Sequence, residues 1–327
     1  MGIRSDDGKV PSEAGAKRAI AVVGAASGIG IRPYDSGGMR RLDLAPRALR
    51  QRGLVARLAA RDRGDVTAPP YRDWTRDGTR IRNEDDVADY SRALGREIAA
   101  ASAHASPPRP FVLALGGDCS IVLGALLGLR STGQRRLGLV YIDAHADFGT
   151  QEESLTGSAA SMCLALATGR GETALARLAG DGPLVDPADV VLIGRRDHGA
   201  VWYGHAALES SGVLDLPHAT VRERGPRVVA QTALDRLVGH GVGSARSITG
   251  FWIHLDADVL DPAVMPAVDS PEPGGLDLEE LEELLRPLVR RPEALGLELT
   301  IYDPTLDPRG VCAERLVTLL ERLLVGD

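Results

Sequence analysis

Six short apolar runs, set apart by longer stretches of helical character, constrain this chain more than any other feature. They are AIAVVG (19–24), PFVLALGG (110–117), LGLVYID (137–143), DVVLIG (189–194), FWIHLDAD (251–258) and ALGLELTIY (294–302). A strand with one wet face alternates apolar and polar residues, whereas near-continuous runs suit strands buried on both faces of a parallel sheet. Between them the pattern predicts helices. One spans 83–104 and opens on Asn83-Glu84-Asp85-Asp86, an N-cap followed by acids in the first turn. Others are expected at 120–130, 157–168, about 226–240, 277–289 and 312–325. Such alternation implies an α/β fold, three-layer α/β/α with a mostly parallel central sheet. No repeat or linker divides it, so 18–327 are expected to form one domain behind a disordered polar lead-in over 1–17.

A chain of 327 residues buries a substantial core. Its net charge of −7 argues against nucleic acid and anionic membrane surfaces as partners. No run approaches the ~18–20 apolar residues of a membrane span, and the N-terminus lacks the apolar segment of a secretory signal. Cys119, Cys163 and Cys312 are too few and too scattered for a disulfide framework, so a cytoplasmic setting is expected.

In a parallel α/β sheet, function gathers at the carboxyl ends of the strands. Here the second run ends in GGDCS, the third in DAHADF and the fifth in DADVLDP. Alternate residues of extended chain point to one side, so Asp143, His145 and Asp147 can converge on one point. Asp256 and Asp258 repeat the pattern, with His254 on the same parity as an outer partner. Four carboxylates beside an imidazole are too much negative charge to gather without cations. Carboxylate oxygens with imidazole suit Mn²⁺ better than Mg²⁺ or Ca²⁺, and two metals sharing carboxylates would hold an activated water between them.

GGDCS, DAHADF and LDADVLDP, in this order and at these separations, resemble the signature motifs of the ureohydrolase (arginase and agmatinase) family. DSGGMRRLDLAPRALRQRGL (35–54) and PAVDSPEPGGL (266–276) are similar to further segments of that family. The resemblance runs from about Ala19 to the C-terminus. It implies hydrolysis of a small-molecule guanidino substrate to urea and an amine through a metal-bridging hydroxide, with two Mn²⁺ per chain. The implied ligands are Asp143, His145, Asp147, Asp256 and Asp258, with Asp147 also bonding the hydroxide. Glu298, in GLELTIYDP, would face the guanidinium, whose planar N–H donors a carboxylate matches. A homo-oligomer, trimer or hexamer, is implied as well.

Three departures bear on that expectation. Cys119 stands where the family usually has a histidine ligand. As a thiolate with a pKa lowered at a helix start it would join the cage and shift preference toward Zn²⁺ or Fe²⁺; as an inert buried thiol it would leave five ligands. It also keeps N-hydroxyguanidines open as substrates. Thr156 occupies the place of a proton-shuttling histidine; it is no general acid at neutral pH and is expected to bind substrate instead. His198 and His254 are the other candidates for that proton. Gly149 and Gly199 replace the groups that read an amino-acid head in arginases, so L-arginine is not the expected substrate; Asp197 of the R-D pair survives as a positioning or substrate-binding residue. The rival expectation is a degenerate family member that binds a ligand or partner without turnover.

The turn after the first run, Gly24-x-x-x-Gly28-x-Gly30, also has the look of a dinucleotide loop. A dehydrogenase of that kind needs a helix next, yet Pro33, Gly37 and Gly38 follow, and no tyrosine has a lysine four residues on. The turn is expected to be one more strand end on the rim of the metal site.

Overall fold

All six apolar runs become strands. The computed structural model describes residues 18–326 apart from 77, 104–108, 135, 181, 198–203 and 240–247, so the N-terminal lead-in lies outside the described residues. The strands are β1 (Ile20–Ala26), β2 (Arg61–Thr67), β3 (Phe111–Leu115), β4 (Leu137–Ile142), β5 (Val190–Ile193), β6 (Leu214–Leu216), β7 (Gly250–Asp256) and β8 (Ala294–Thr300). They form one eight-stranded sheet in the order β2-β1-β3-β8-β7-β4-β5-β6, and every pairing between these strands is parallel. The strands that came from apolar runs are buried along their whole length, as covering of both faces requires.

The covering helices fall into two mutually packed groups. Glu84–Ser102 packs on Ile121–Ser131, which in turn meets Cys163–Ala167. In the second group, Leu278–Val289 packs on Pro226–Val238 and Val311–Leu324, and Ala45–Gln51 completes the chain of contacts. Leu278–Val289 starts with a capping box between Asp277 and Glu280, a strong local start signal. Asn83 sits at the N-cap of Glu84–Ser102 but does not cap with its side chain; its amide instead donates to the Ile29 carbonyl at 3.3 Å. The helix expected over 157–168 shrinks to a 3₁₀ turn at Ala159–Met162 and a short helix at Cys163–Ala167.

Among the described residues, no helix is long and apolar enough to cross a membrane.

Candidate metal centre

The donors come from three strand ends near the middle of the sheet. After β3 the chain turns through Gly116 and Gly117, both at positive φ, and delivers Asp118, Cys119 and Ser120 to the start of a helix. Buried Asp118 accepts the Ser120 N–H at 2.9 Å and the Gly30 N–H at 3.0 Å. A Cβ on Gly30 would lie 2.3 Å from Asp118 Oδ1, so glycine is required where the two loops touch. The glycine-rich turn is therefore strapped to the strand end that carries Cys119, and Ile31 beyond it lines the same cavity as the donors.

From β4, Asp143 Oδ1 accepts the His145 N–H at 2.7 Å, which folds the D-A-H-A-D segment back over the strand end. His145 Nδ1 lies 3.0 Å from Asp258 Oδ2 and 3.4 Å from Asp143 Oδ1. Asp147, at φ 47°, accepts a 2.7 Å hydrogen bond from the Tyr141 hydroxyl. Asp197 supports this turn from behind: its Oδ2 accepts the Ala146 N–H at 2.8 Å. From β7, Asp256 Oδ1 accepts the Asp258 N–H at 2.8 Å, while its Oδ2 accepts from Cys119 Sγ at 3.0 Å.

Among the described residues two groups of donor atoms result, each with all members within 4.8 Å of one another. One is Cys119, Asp143, His254 and Asp256; the other is Asp143, His145 and Asp258, and Asp143 is common to both. All of these but His254 border a cavity of about 50 Å³ that Asp147, Asp269 and Ile301 also line. Burial and mutual repulsion push the carboxyls of Asp143, Asp147 and Asp256 up, whereas His145 holds Asp258 down. Asp143 Oδ2 and His254 Nε2 are buried without a hydrogen-bond partner among the described residues. Crowded acids and orphaned donors facing one point fit divalent cations, which would satisfy both.

Not every expected site residue meets this cavity. Glu298 is fully buried, but its Oε1 is 2.6 Å from His254 Nδ1, and Ile301, three residues on, lines the cavity in its stead. Thr156 is in a surface turn, where its Oγ1 accepts the Ser158 N–H at 3.2 Å. His198 and Gly199 lie outside the described residues. The lowered thiol pKa expected at Cys119 is corrected: burial and the neighbouring Asp256, Asp147 and Asp143 push it up, overriding the helix start. His254, expected as an outer partner, has its Nε2 within reach of the first group; its parity with Asp256 and Asp258 was the available signal.

These shifts predict a pH effect on the metal-free chain. Asp143 rises from 3.8 to about 6, chiefly through burial and then through Asp258. The folded state thus holds that proton more tightly than the unfolded state, so stability is present at low pH and is lost as pH rises through about 6. Lowering pH from about 7 to about 5 should stabilise metal-free protein by about 1–3 kcal/mol. Metal-loaded protein should respond oppositely, since protons compete with cations for the same oxygens. Calorimetry at both pH values checks the pair, and parallel behaviour of the two forms would refute it.

The fold and the cluster define a three-layer α/β protein with a metal-type donor centre at the carboxyl edge of its parallel sheet. Comparison with known proteins narrows this. The arginase family model matches residues 19–326, and the chain belongs to the arginase family, whose members are hydrolases acting on C–N bonds of linear amidines. It is 32% identical to an arginase of Bacillus caldovelox over 306 residues, covering 89% of this chain and 95% of that one. An arginase of Staphylococcus aureus (strain COL) is 28% identical over 312 residues, covering 93% and 96%. The native crystal structure of the Bacillus caldovelox arginase superposes with a TM-score of 0.82 at 28% identity, over 95% of this chain and 99% of the other.

Proposed function

We propose that this chain hydrolyses a guanidino compound other than L-arginine to urea and an amine, at the cavity bordered by the two donor groups. The observation that carries the reading is the pair of groups joined at Asp143. Asp143, His145, Asp147, Asp256, Asp258 and Cys119 would hold two cations, of which Mn²⁺ suits the oxygen-rich positions and Zn²⁺ or Fe²⁺ the thiol. Bound there, the metals supply Lewis acidity and a nucleophile at neutral pH.

The chain's own groups do the rest. One oxygen of Asp147 is engaged by Tyr141, which fixes the carboxylate and leaves the other to accept the proton shed by the attacking water. With Thr156 in a surface turn, the same carboxylate is the group that would return that proton to the leaving nitrogen. The cavity, at about 50 Å³, has room for a head group of about three to five water-sized atoms rather than a whole substrate. Glu298 does not line the cavity and Asp269 does, so Asp269 is the carboxylate placed to face a cationic head. Its Oδ2 takes the Arg40 Nε–H at 2.9 Å. Arg40 is itself steadied by stacking 4.2 Å over the Tyr34 ring and by bonding the Arg32 carbonyl. Asp269 Oδ1 then accepts a guanidinium N–H.

Urea release across guanidino acids, guanidino amines and N-hydroxyguanidines, with L-arginine for comparison, tests the proposal in Mn²⁺-loaded protein. Turnover of at least one of these compounds ahead of L-arginine supports it. No urea from any of them at full metal occupancy would leave a ligand-binding relative as the better reading. Asp269→Asn should raise KM about 10–100-fold with kcat little changed, since one charge-assisted bond to the head is lost. A fall in kcat at constant KM would place Asp269 elsewhere. The same reading carries a homo-oligomer, trimer or hexamer, which light scattering checks.

A further inference from the structure

His254 occupies an unusual position. Tyr141, His254 and Glu298 are register neighbours across β4, β7 and β8, forming one row through the sheet. The Tyr141 and His254 rings stack with centroids 4.0 Å apart and planes 9° from parallel, which sets the plane of the imidazole. Glu298 Oε1, 2.6 Å from Nδ1, sets its rotation, and as a carboxylate it accepts the Nδ1–H. The lone pair is thereby left on Nε2. That nitrogen is fully buried, has no hydrogen-bond partner among the described residues, and faces Asp143 Oδ2, which has none among them either. The two atoms are 3.9 Å apart, too far for a hydrogen bond. Two buried orphans facing each other across a gap are costly unless something sits between them.

Carboxylate to Nδ1, with Nε2 free and aimed at acids, is the arrangement that orients metal-ligating histidines. An ion held at ~2.0–2.3 Å by each donor keeps its donors within ~4.0–4.6 Å of one another, and the separation of His254 Nε2 from Asp143 Oδ2 meets that bound. So does Cys119 Sγ, 3.0 Å from Asp256 Oδ2.

We infer that His254 is a metal ligand, and that with Cys119 it makes the two cation positions chemically unlike. The first, Cys119, Asp143, His254 and Asp256, is a sulfur–nitrogen–oxygen site of four donors that selects Zn²⁺. The second, Asp143, His145 and Asp258, with Asp147 on the same cavity, takes Mn²⁺. Glu298 is a positioning residue for the first site. This rests on the metal reading of the centre given above, but not on any substrate.

Cobalt substitution separates the two ideas. Metal-free protein titrated with Co²⁺ should show, within the first equivalent, a thiolate-to-cobalt charge-transfer band and intense visible absorption of four-coordinate cobalt. Cys119→Ser should remove the band while metal still binds. His254→Gln should weaken the first equivalent at least about 100-fold and leave the second Mn²⁺ in place; Glu298→Gln should weaken it about 10–100-fold. Protein loaded from mixed Zn²⁺ and Mn²⁺ should carry one of each by mass spectrometry. Two equal Mn²⁺ with no thiolate band, or unchanged affinity in His254→Gln, overturns the inference while sparing the metal reading. Failure to bind any cation overturns both. Should His254→Gln not fold, the weakened first equivalent in Glu298→Gln carries the result for His254, and an unchanged affinity there overturns it; the wild-type and Cys119→Ser spectra carry the result for Cys119.

Discussion

Asp143→Asn is expected to cost at least about 10³-fold in activity and to drop metal content below one per chain, from about two. No other residue belongs to both donor groups, so its loss damages both positions at once. The amide keeps the shape and the Oδ1 acceptor that receives the His145 N–H, so the D-A-H-A-D turn should stay folded. What disappears is the second anionic oxygen, the buried atom facing His254. Replacing Asp258, by contrast, should empty only the position it shares with His145. The comparison needs metal analysis beside the assay: equal metal losses in the Asp143 and Asp258 variants would show that Asp143 does not join two sites. Turnover surviving the combined loss of Asp143 and Asp256 would sink a metal mechanism altogether.

Gly296→Ala should lower stability by about 3 kcal/mol without touching the site. Gly296 lies within β8 and pairs with Val112 on one side and Trp252 on the other. An added Cβ would stand 2.1 Å from the Val112 carbonyl oxygen and 2.3 Å from the Trp252 ring. Neither neighbour can retreat easily, since one is backbone of the adjacent strand and the other is a fully buried indole. Thermal melts of the variant with metal bound measure the effect; a midpoint within about 2 °C of the wild type would show that the sheet yields there at little cost.

Where apolar runs meet strand-end acids, the chain could be read directly, because alternation along a strand is a local rule. β2 escaped it. Its sequence RDRGDVT is largely exposed and has the charge of a loop, and it is held as an edge by pairing with β1 and by Arg50 bonded to Asp62 and Asp65. β6 has only three residues, too few for a period. The cluster Asp143, His145, Asp256 and Asp258 was legible for the same local reason as the strands. Glu298 was harder, because its placement depends on register between strands. Asp256 lies beside Thr300, whereas Glu298 lies beside His254, one row deeper than the acids. Parity along β8 says nothing about depth relative to β7. Asp269 left no strand signal at all, since it reaches the cavity from a loop.

The sheet order has a consequence for how such a chain comes to exist. β8 sits between β3 and β7, so the halves of the sheet built from residues 20–115 and 137–256 are joined through a strand at 294–300. During synthesis the ribosome must deliver the chain through residue 300 before that seam can close. Until then β3 and β7 each present an open, apolar edge, the kind of surface on which nascent chains misassociate. Stop codons or stalls shortly before residue 294 should therefore leave products that depend on chaperones, even though most of the sheet and the acids of the centre have already been made.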